Sequence, residues 1–309
     1  MASRGMGWHV VGDWGTTRLR LFRVEQGVVV DRLDGPGIGQ LEGGLPSAHL
    51  LRLLTRWTGH GRPDHVTLCG MAGARTGLRE APYVPCPTDR AGWATGMLRF
   101  DLVDLPVRIA AGVRHGDVDV MRGEETQIFG ALAREPSLAQ GSQLFILPGT
   151  HSKWARIENG VVTGFRTFFT GELFGLLRAH STLARVSAGS GTTADAGDAA
   201  ERAEGWDEGL ARAREGTGLL GGMFESRAAQ LLRGRSAVWG EGFLSGLLIG
   251  AEVAEGQRHT PLPETVVVIG APELAEHYRR ALDGHGVAVR REDGETCVLA
   301  GLELLNDLG

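Results

Sequence analysis

Lysine is almost missing from this chain. Among 32 basic residues only Lys153 is a lysine, and all the others are arginines. Drift toward arginine accounts for most of that bias. A drift so strong spares its last lysine where the site needs a compact ammonium in place of a planar fork. Cysteine is scarce as well. Cys69, Cys86 and Cys297 are odd in number and widely spaced, which excludes a disulfide framework or a zinc site and suits a reducing compartment. Net charge is −5, with 37 acidic residues and no basic run, so nucleic acid is excluded as the main partner. The opening "MASRGMG" has no apolar signal core, and no apolar run approaches the roughly 20 residues of a membrane span. A cytoplasmic protein without a membrane partner is expected.

Familiar nucleotide motifs are lacking too. A Walker A loop needs Gly-Lys-Ser/Thr, and here the one lysine follows Ser152. The G-x-G-x-x-G match "GTGLLG" (Gly216, Gly218, Gly221) follows the helix-like "DEGLARARE" rather than a strand, so it fails the dinucleotide-binding context. No H-E-x-x-H or clustered His/Cys set occurs.

What remains is an ordinary globular chain of 309 residues, 42% hydrophobic and 22% charged, long enough for one large or two medium domains. Strands are expected near 8–13, 17–24, 28–33, 65–73, 107–113 and through 142–168. Helices are expected over 123–135, 171–186, 241–256 and the C-terminal "CVLAGLELLNDL". The segment 264–293 predicts strand, glycine turn, helix, strand, and 187–217 a loop and a surface helix. Alternating strands and helices make the class α/β.

Two stretches repeat. "GTTRLRLFRVEQGVV" (15–29) and "GTHSKWARIENGVV" (149–162) both open with Gly-Thr, cross a basic strand, turn at Glu-(Gln/Asn)-Gly and return on Val-Val. One deletion aligns them, which suggests two related halves, each presenting a polar turn, and a clamp if the turns face one another. Asp, Gly and Thr are also ordinary turn residues. Glycine nonetheless lets a ligand approach the backbone, and successive amides form an anion nest. Lys153 adds a phosphate-binding charge, and Asp13 offers a hard oxygen for Mg²⁺. Phosphate with Mg²⁺ suggests a nucleoside triphosphate. For chemistry, "DVDVMRGEETQ" (117–127) supplies Asp117, Asp119, Glu124 and Glu125 as carboxylates for a hydroxyl proton or as simple helix caps. Arg75, Arg122 and Arg166 lie in turn or Gly-rich contexts where a fork could take a substrate carboxylate.

The motifs "DWGTT", "MAG" followed by "APYVPCP", "VMRGEETQ", "LPGTHSKW", "FRTFFTGEL" and "FLSGLLIGAEVA" together resemble the 2-dehydro-3-deoxygalactonokinase family, in that order and over nearly the whole chain. The resemblance implies two ribonuclease-H-like (actin-like ATPase) domains flanking a nucleotide cleft. These would be 1–138, with the first phosphate loop and the sugar-acid side, and 139–309, with the second loop and the adenosine side, the last helix being free to pack back on the first domain. It further implies ATP-dependent phosphorylation of 2-dehydro-3-deoxy-D-galactonate at its terminal C6 hydroxyl, in galactonate breakdown, with Mg²⁺.

By motif, Asp13 would serve the metal, and Gly15, Thr16 and Thr17 the phosphates. Gly149, Thr150, His151 and Lys153 would form the second loop, and Gly270 and Ala271 would border the nucleotide. Glu124 is the first choice for the base and Glu125 the second. Arg166 or Arg75 would meet the substrate carboxylate, with Thr170 and Glu172 nearby. An exopolyphosphatase-like phosphohydrolase on the same fold and a nucleotide-switched scaffold are the alternatives, and a homo-oligomer is left open.

Overall fold

The computed structural model describes residues 7–41, 43–183, 196–216 and 218–308. The chain forms two compact units: Met1–Gln143, Ala155–Phe165 and Glu292–Gly309 in one, Leu144–Trp154 and Arg166–Arg291 in the other.

The first unit opens with β1 (Trp8–Trp14), β2 (Arg18–Glu25), β3 (Val28–Pro36), α1 (Pro46–Leu54) and β4 (Val66–Gly70). Next come β5 (Tyr83–Pro85), α2 (Arg90–Thr95), β6 (Leu98–Leu102), β7 (Leu105–Ile109), β8 (Gly112–His115), β9 (Asp119–Met121) and α3 (Glu124–Arg134). The chain continues through β10 (Ser142–Leu147), β11 (Ser152–Glu158), β12 (Val161–Phe168), α4 (Thr170–His180), α5 (Ala196–Arg214), α6 (Leu219–Leu232) and α7 (Ala237–His259). It closes with β13 (Thr265–Gly270), α8 (Pro272–Asp283), β14 (Ala288–Asp293) and α9 (Gly294–Leu308).

One strand order occurs twice. The six-stranded sheet runs β3-β2-β1-β4-β7-β6 and the five-stranded sheet β12-β11-β10-β13-β14. Apart from the added edge strand β6, the two orders correspond position for position, and the hairpin β1–turn–β2 matches β10–turn–β11. β1 pairs antiparallel with β2 and parallel with β4, and β10 pairs parallel with β13. This is the α/β class, with mixed sheets. The similarity of "GTTRLRLFRVEQGVV" to "GTHSKWARIENGVV" is therefore matched by topology.

Alternation along each strand decides which side chains enter the cores. Val10 and Trp14 of β1 and Leu19 and Leu21 of β2 join Leu50, Trp57, Leu68 and Ile109 in the first unit. Leu144, Ile146, Trp154 and Phe168 join Trp206, Ile249, Val268 and Tyr278 in the second. Burying such side chains contributes about 1.5–3 kcal/mol each, so the cores fix the strands whose ends carry the polar turns.

Several elements differ from expectation, among them α1, α2 and β6, which were not expected. The helix expected over 171–186 stops at His180. α6 was not expected, because its two glycines and mixed composition blur the helical period. α5 is more than a surface helix, since Trp206 and Leu210 are buried. A Cβ on Gly205 or Gly209 would meet the Trp239 or Phe243 carbonyl at 2.1 or 2.0 Å, and Gly242 and Gly246 reciprocate from α7. Glycines on both faces bring the two backbones together, a packing that leaves no apolar periodicity to read. The remainder of the loop expected before it, through residue 195, lies outside the described residues. α7 is also longer than expected. It is long and apolar enough to cross a membrane by length and composition alone, and 67% of its most apolar window is buried inside the fold.

Candidate active site

The first turn, Gly15–Thr17, is shaped by its carbonyls. Those of Gly15, Thr16 and Thr17 accept from the amides of Ile38, Gly39 and Gly37, each at 3.0 Å. Gly37 is required there, because a Cβ would stand 2.3 Å from the Thr16 carbonyl. With its carbonyls engaged inward, the turn exposes the Thr16 and Thr17 side chains, a face of hydroxyls that suits an anion. A cavity of about 420 Å³ beside it is lined by Thr16, Gly39, Met71 and Thr76 among others. Arg75 adjoins Thr76. Its side chain is 88% exposed and lies 3.8 Å from Glu80.

Asp13, near the end of β1, is held by Arg20, whose Nη2 donates to Oδ2 at 2.5 Å. Arg20 also donates to Glu295 at 3.0 Å. Among the described residues no group of three or more His, Cys, Asp or Glu could hold a metal. The donor set fits Mg²⁺ in the mode where one carboxylate, phosphate oxygens and retained waters complete the shell. Arg20 already occupies one oxygen of that carboxylate, a partner the sequence did not suggest.

At the start of α3, Gly123 has φ +108°, and a Cβ there would stand 3.3 Å from the Cα of Gly70. The Glu125 carboxylate is fully buried and accepts from the Gly123 amide at 2.7 and 2.8 Å and from Thr126 Oγ1 at 3.1 Å. Glu124 is half-buried and accepts from the Arg122 amide at 2.9 Å. Burial, and secondarily the charge of Glu124, push the Glu125 carboxyl up to about 8. Folded Glu125 therefore keeps a proton that the unfolded chain gives up near its ordinary value of 4.5. Stability falls as pH rises between those two values, by an amount on the order of a few kcal/mol. Glu125→Gln should flatten this slope, so the difference in thermal unfolding between pH 5 and pH 8.5 should be smaller in the variant than in the wild type. Arg122 is engaged locally, donating to the Ala81 carbonyl at 2.8 Å and lying over the Tyr83 ring.

In the second unit, Gly149, Thr150 and His151 are exposed while Ser152 and Lys153 are buried. The device of the first turn recurs. The Thr150 carbonyl accepts from the Glu172 amide at 2.8 Å, and a Cβ on Gly171 would stand 2.2 Å from the Gly149 carbonyl. Lys153 is 4% exposed and its Nζ donates to Thr167 Oγ1 at 2.9 Å. His151 stacks on Phe169 and contacts Glu172 at 2.5 Å. Gly270 packs beside Pro148, and Ala271 caps α8.

A cavity of about 580 Å³ involves Ala271, Glu273 and His277 of α8 after it, Trp206 of α5 and Phe174 and Arg178 of α4, a volume within the range of small-molecule sites. Thr170 and Glu172, expected near the substrate, are engaged in their own unit: Thr170 donates to Glu252, and Glu172 pairs with His151. Arg166 is half-exposed and lies 3.6 Å from Glu255.

Sequence reasoning missed Glu252 and Arg20. Burial pushes the Glu252 carboxyl up, while hydrogen bonds from Thr170, Tyr278, Ser152 and Trp154 draw it back. A lone acid in an otherwise apolar "FLSGLLIGAEVA" was the available signal.

The sequence model of the 2-keto-3-deoxy-galactonokinase family matches residues 13–305. The chain belongs to that family. Among relatives of this galactonokinase family member, the 2-dehydro-3-deoxygalactonokinase of Escherichia coli (strain K12) is 33% identical over 298 residues, 95% of this chain and 96% of that protein. A candidate 2-dehydro-3-deoxygalactonokinase of Rhizobium meliloti (strain 1021) is 38% identical over 308 residues, 96% and 95% of the two chains. A crystal structure of a candidate 2-dehydro-3-deoxygalactonokinase from Sinorhizobium meliloti matches with a TM-score of 0.84 at 35% identity, covering 96% of this chain and 95% of that one. The activator of the 2-hydroxyisocaproyl-CoA dehydratase from Clostridium difficile, solved with bound ADPNP, matches at a TM-score of 0.51 and 14% identity over 97% and 95% of the chains. That last likeness concerns the fold alone. The galactonokinase family member thus has the α/β fold of the actin-like ATPases.

Proposed function

We propose that this protein is an ATP-dependent kinase that transfers the γ-phosphoryl group of ATP to the C6 hydroxyl of 2-dehydro-3-deoxy-D-galactonate, giving the 6-phosphate and ADP in galactonate breakdown. The observation that carries this reading is the paired Gly-Thr turn, placed at equivalent points of two sheets of the same strand order. One turn is equipped with Asp13 and the other with the sole lysine. The duplicated halves divide near residue 138, ahead of β10, with α9 returning to the first.

Each group then has a task set by the chemistry. Phosphoryl transfer is loose, so catalysis comes mainly from charge neutralisation and in-line positioning. Asp13 would hold Mg²⁺, which when bound would supply part of that neutralisation. The Gly15–Thr17 and Gly149–His151 turns bind phosphate oxygens through amides and hydroxyls, and Lys153 adds a fixed positive charge. The cavity beside Ala271 takes the adenosine, with Gly270 leaving room for its approach. The sugar acid lies in the cavity lined by Thr16 and Thr76. Arg75 takes its carboxylate in preference to Arg166, because Arg75 adjoins that cavity and is the more exposed.

Glu124 accepts the C6 hydroxyl proton as the oxygen bonds to phosphorus and the β–γ bridge bond breaks. Glu125, with no exposure to solvent, holds the Gly123 amide instead. Because the transition state is loose, the base contributes at the low end of its usual range, and Glu124→Ala should lower kcat about 10²-fold. Single-turnover phosphorylation measures that loss, and a rate within threefold of wild type would remove Glu124 from the role.

The deciding experiment is a coupled ADP-release assay with Mg-ATP, with and without the sugar acid and beside its C4 epimer. ADP release that requires the sugar acid supports the kinase, and the epimer ratio sets its specificity. Equal release without any acceptor would replace the kinase by a phosphohydrolase.

A further inference from the structure

Glu252 sits in the middle of α7, 4% exposed, and accepts four hydrogen bonds from neutral side chains. Ser152 Oγ donates to Oε1 at 2.7 Å and Trp154 Nε1 to the same oxygen at 2.8 Å. The Tyr278 hydroxyl donates to Oε2 at 2.6 Å, and Thr170 Oγ1 donates to that oxygen as well. A buried carboxylate is costly unless its lone pairs are filled, and here both oxygens are doubly engaged.

The donors are not scattered. Ser152 and Trp154 are two apart on β11, so they share one face of the strand, and Lys153 between them points to the other. Fixing 152 and 154 therefore fixes the direction of the Lys153 stem. Thr170 is the first residue of α4, the helix whose Glu172 amide donates to the Thr150 carbonyl and whose Gly171 leaves room for the Gly149 carbonyl. One carboxylate thus ties the strand that follows the turn to the helix start that supports it.

We propose that Glu252 is the positioning residue of the Gly149–Lys153 turn, acting on phosphoryl transfer through the placement of Lys153 and the turn backbone. The inference rests on the reading of that turn as a phosphate site. Misplacement of a catalytic group by about 1 Å can cost about 10²-fold, so smaller displacements are expected to read as roughly tenfold losses.

The test compares the donors with one another, since Glu252→Gln turns an acceptor into a donor and can fail to fold. Ser152→Ala and Thr170→Ala cut the links to the turn, while Tyr278→Phe cuts the link from α8, where the Tyr278 hydroxyl lies 2.6 Å from the carboxylate and 3.4 Å from Ser152 Oγ. All three lose one hydrogen bond to the same carboxylate, so a purely structural Glu252 predicts similar drops in melting temperature and similar kcat. Positioning predicts that Ser152→Ala and Thr170→Ala lower kcat about tenfold, with KM for the sugar acid unchanged. It also predicts that Tyr278→Phe stays within twofold of wild type and that Thr170→Ser restores the rate. Kcat within twofold of wild type in both turn-side variants would overturn the inference. Lys153→Met separates the two layers. If it is inactive while the turn-side variants are active, only the role of Glu252 falls. If it too is active, the reading of the turn falls and the role of Glu252 with it.

Discussion

Lys153→Met is expected to lower kcat by about 10²–10³-fold, the usual cost of removing one preorganised charge from a transition state, with little change in the sugar-acid KM. Lys153→Arg should not rescue it. The ammonium is 4% exposed and donates to Thr167 Oγ1 at 2.9 Å, so the site is fitted to a point donor on a thin stem. A guanidinium is planar and broader, and it spreads its charge over a fork. In a chain that uses arginine everywhere else, failure of the arginine variant would explain why this position escaped the drift. Steady-state kinetics of both variants measure this, and an arginine variant within threefold of wild type would show that any cation suffices.

The largest expected effect on stability comes from Gly130→Ala in α3. A Cβ at Gly130 would lie 1.8 Å from the Cys297 carbonyl oxygen of α9, and one at Gly301 2.1 Å from the Thr126 carbonyl oxygen. Alanine gains about 1 kcal/mol of helix propensity over glycine. Overpacking costs about 1–3 kcal/mol and sometimes more. A backbone oxygen has no rotamer to escape into, so the cost sits at the top of that range and outweighs the gain. The net loss should be about 2 kcal/mol or more, roughly 4–8 °C in melting temperature. Gly175→Ala in α4 is the control: nothing lies within 4 Å of its added Cβ, so propensity acts alone and stability should rise by about 0.5–1 kcal/mol. Calorimetry of the pair distinguishes close packing from a general intolerance of alanine. Since α3 carries Glu124 and Glu125, Gly130→Ala should also slow phosphorylation more than its stability loss explains.

The polar hairpins were legible because their signals are local: Gly-Thr, a strand period of two and a Glu-(Gln/Asn)-Gly return. The repeat between them extended that local reading to a strand order found in both large sheets. Lys153 was legible from composition alone. The partners of these residues were not. Arg20 is seven residues from Asp13 and reads as one more arginine of a basic strand. Glu252 is about 100 residues from Ser152, and only the fold brings four donors from β11, α4 and α8 to it. Close helix packing was equally silent, because Gly130 with Gly301 and Gly205 with Gly246 contribute space rather than a pattern. The acids of "RGEET" show the middle case. The helix start was readable, but which of the two is buried depends on how the turn at Gly123 aims them.

Near-absence of lysine also bears on how the protein meets acylating metabolites. Acyl phosphates and thioesters modify amines and leave guanidinium groups alone. In this chain the only side-chain amine they can reach is Lys153, and the folded chain walls it in. Spontaneous acylation of side-chain amines should therefore be slow while the fold is intact and should accelerate on unfolding. Where it does occur it strikes the residue we propose to neutralise the phosphates, so each modified molecule is expected to be silenced outright, not merely altered at its surface.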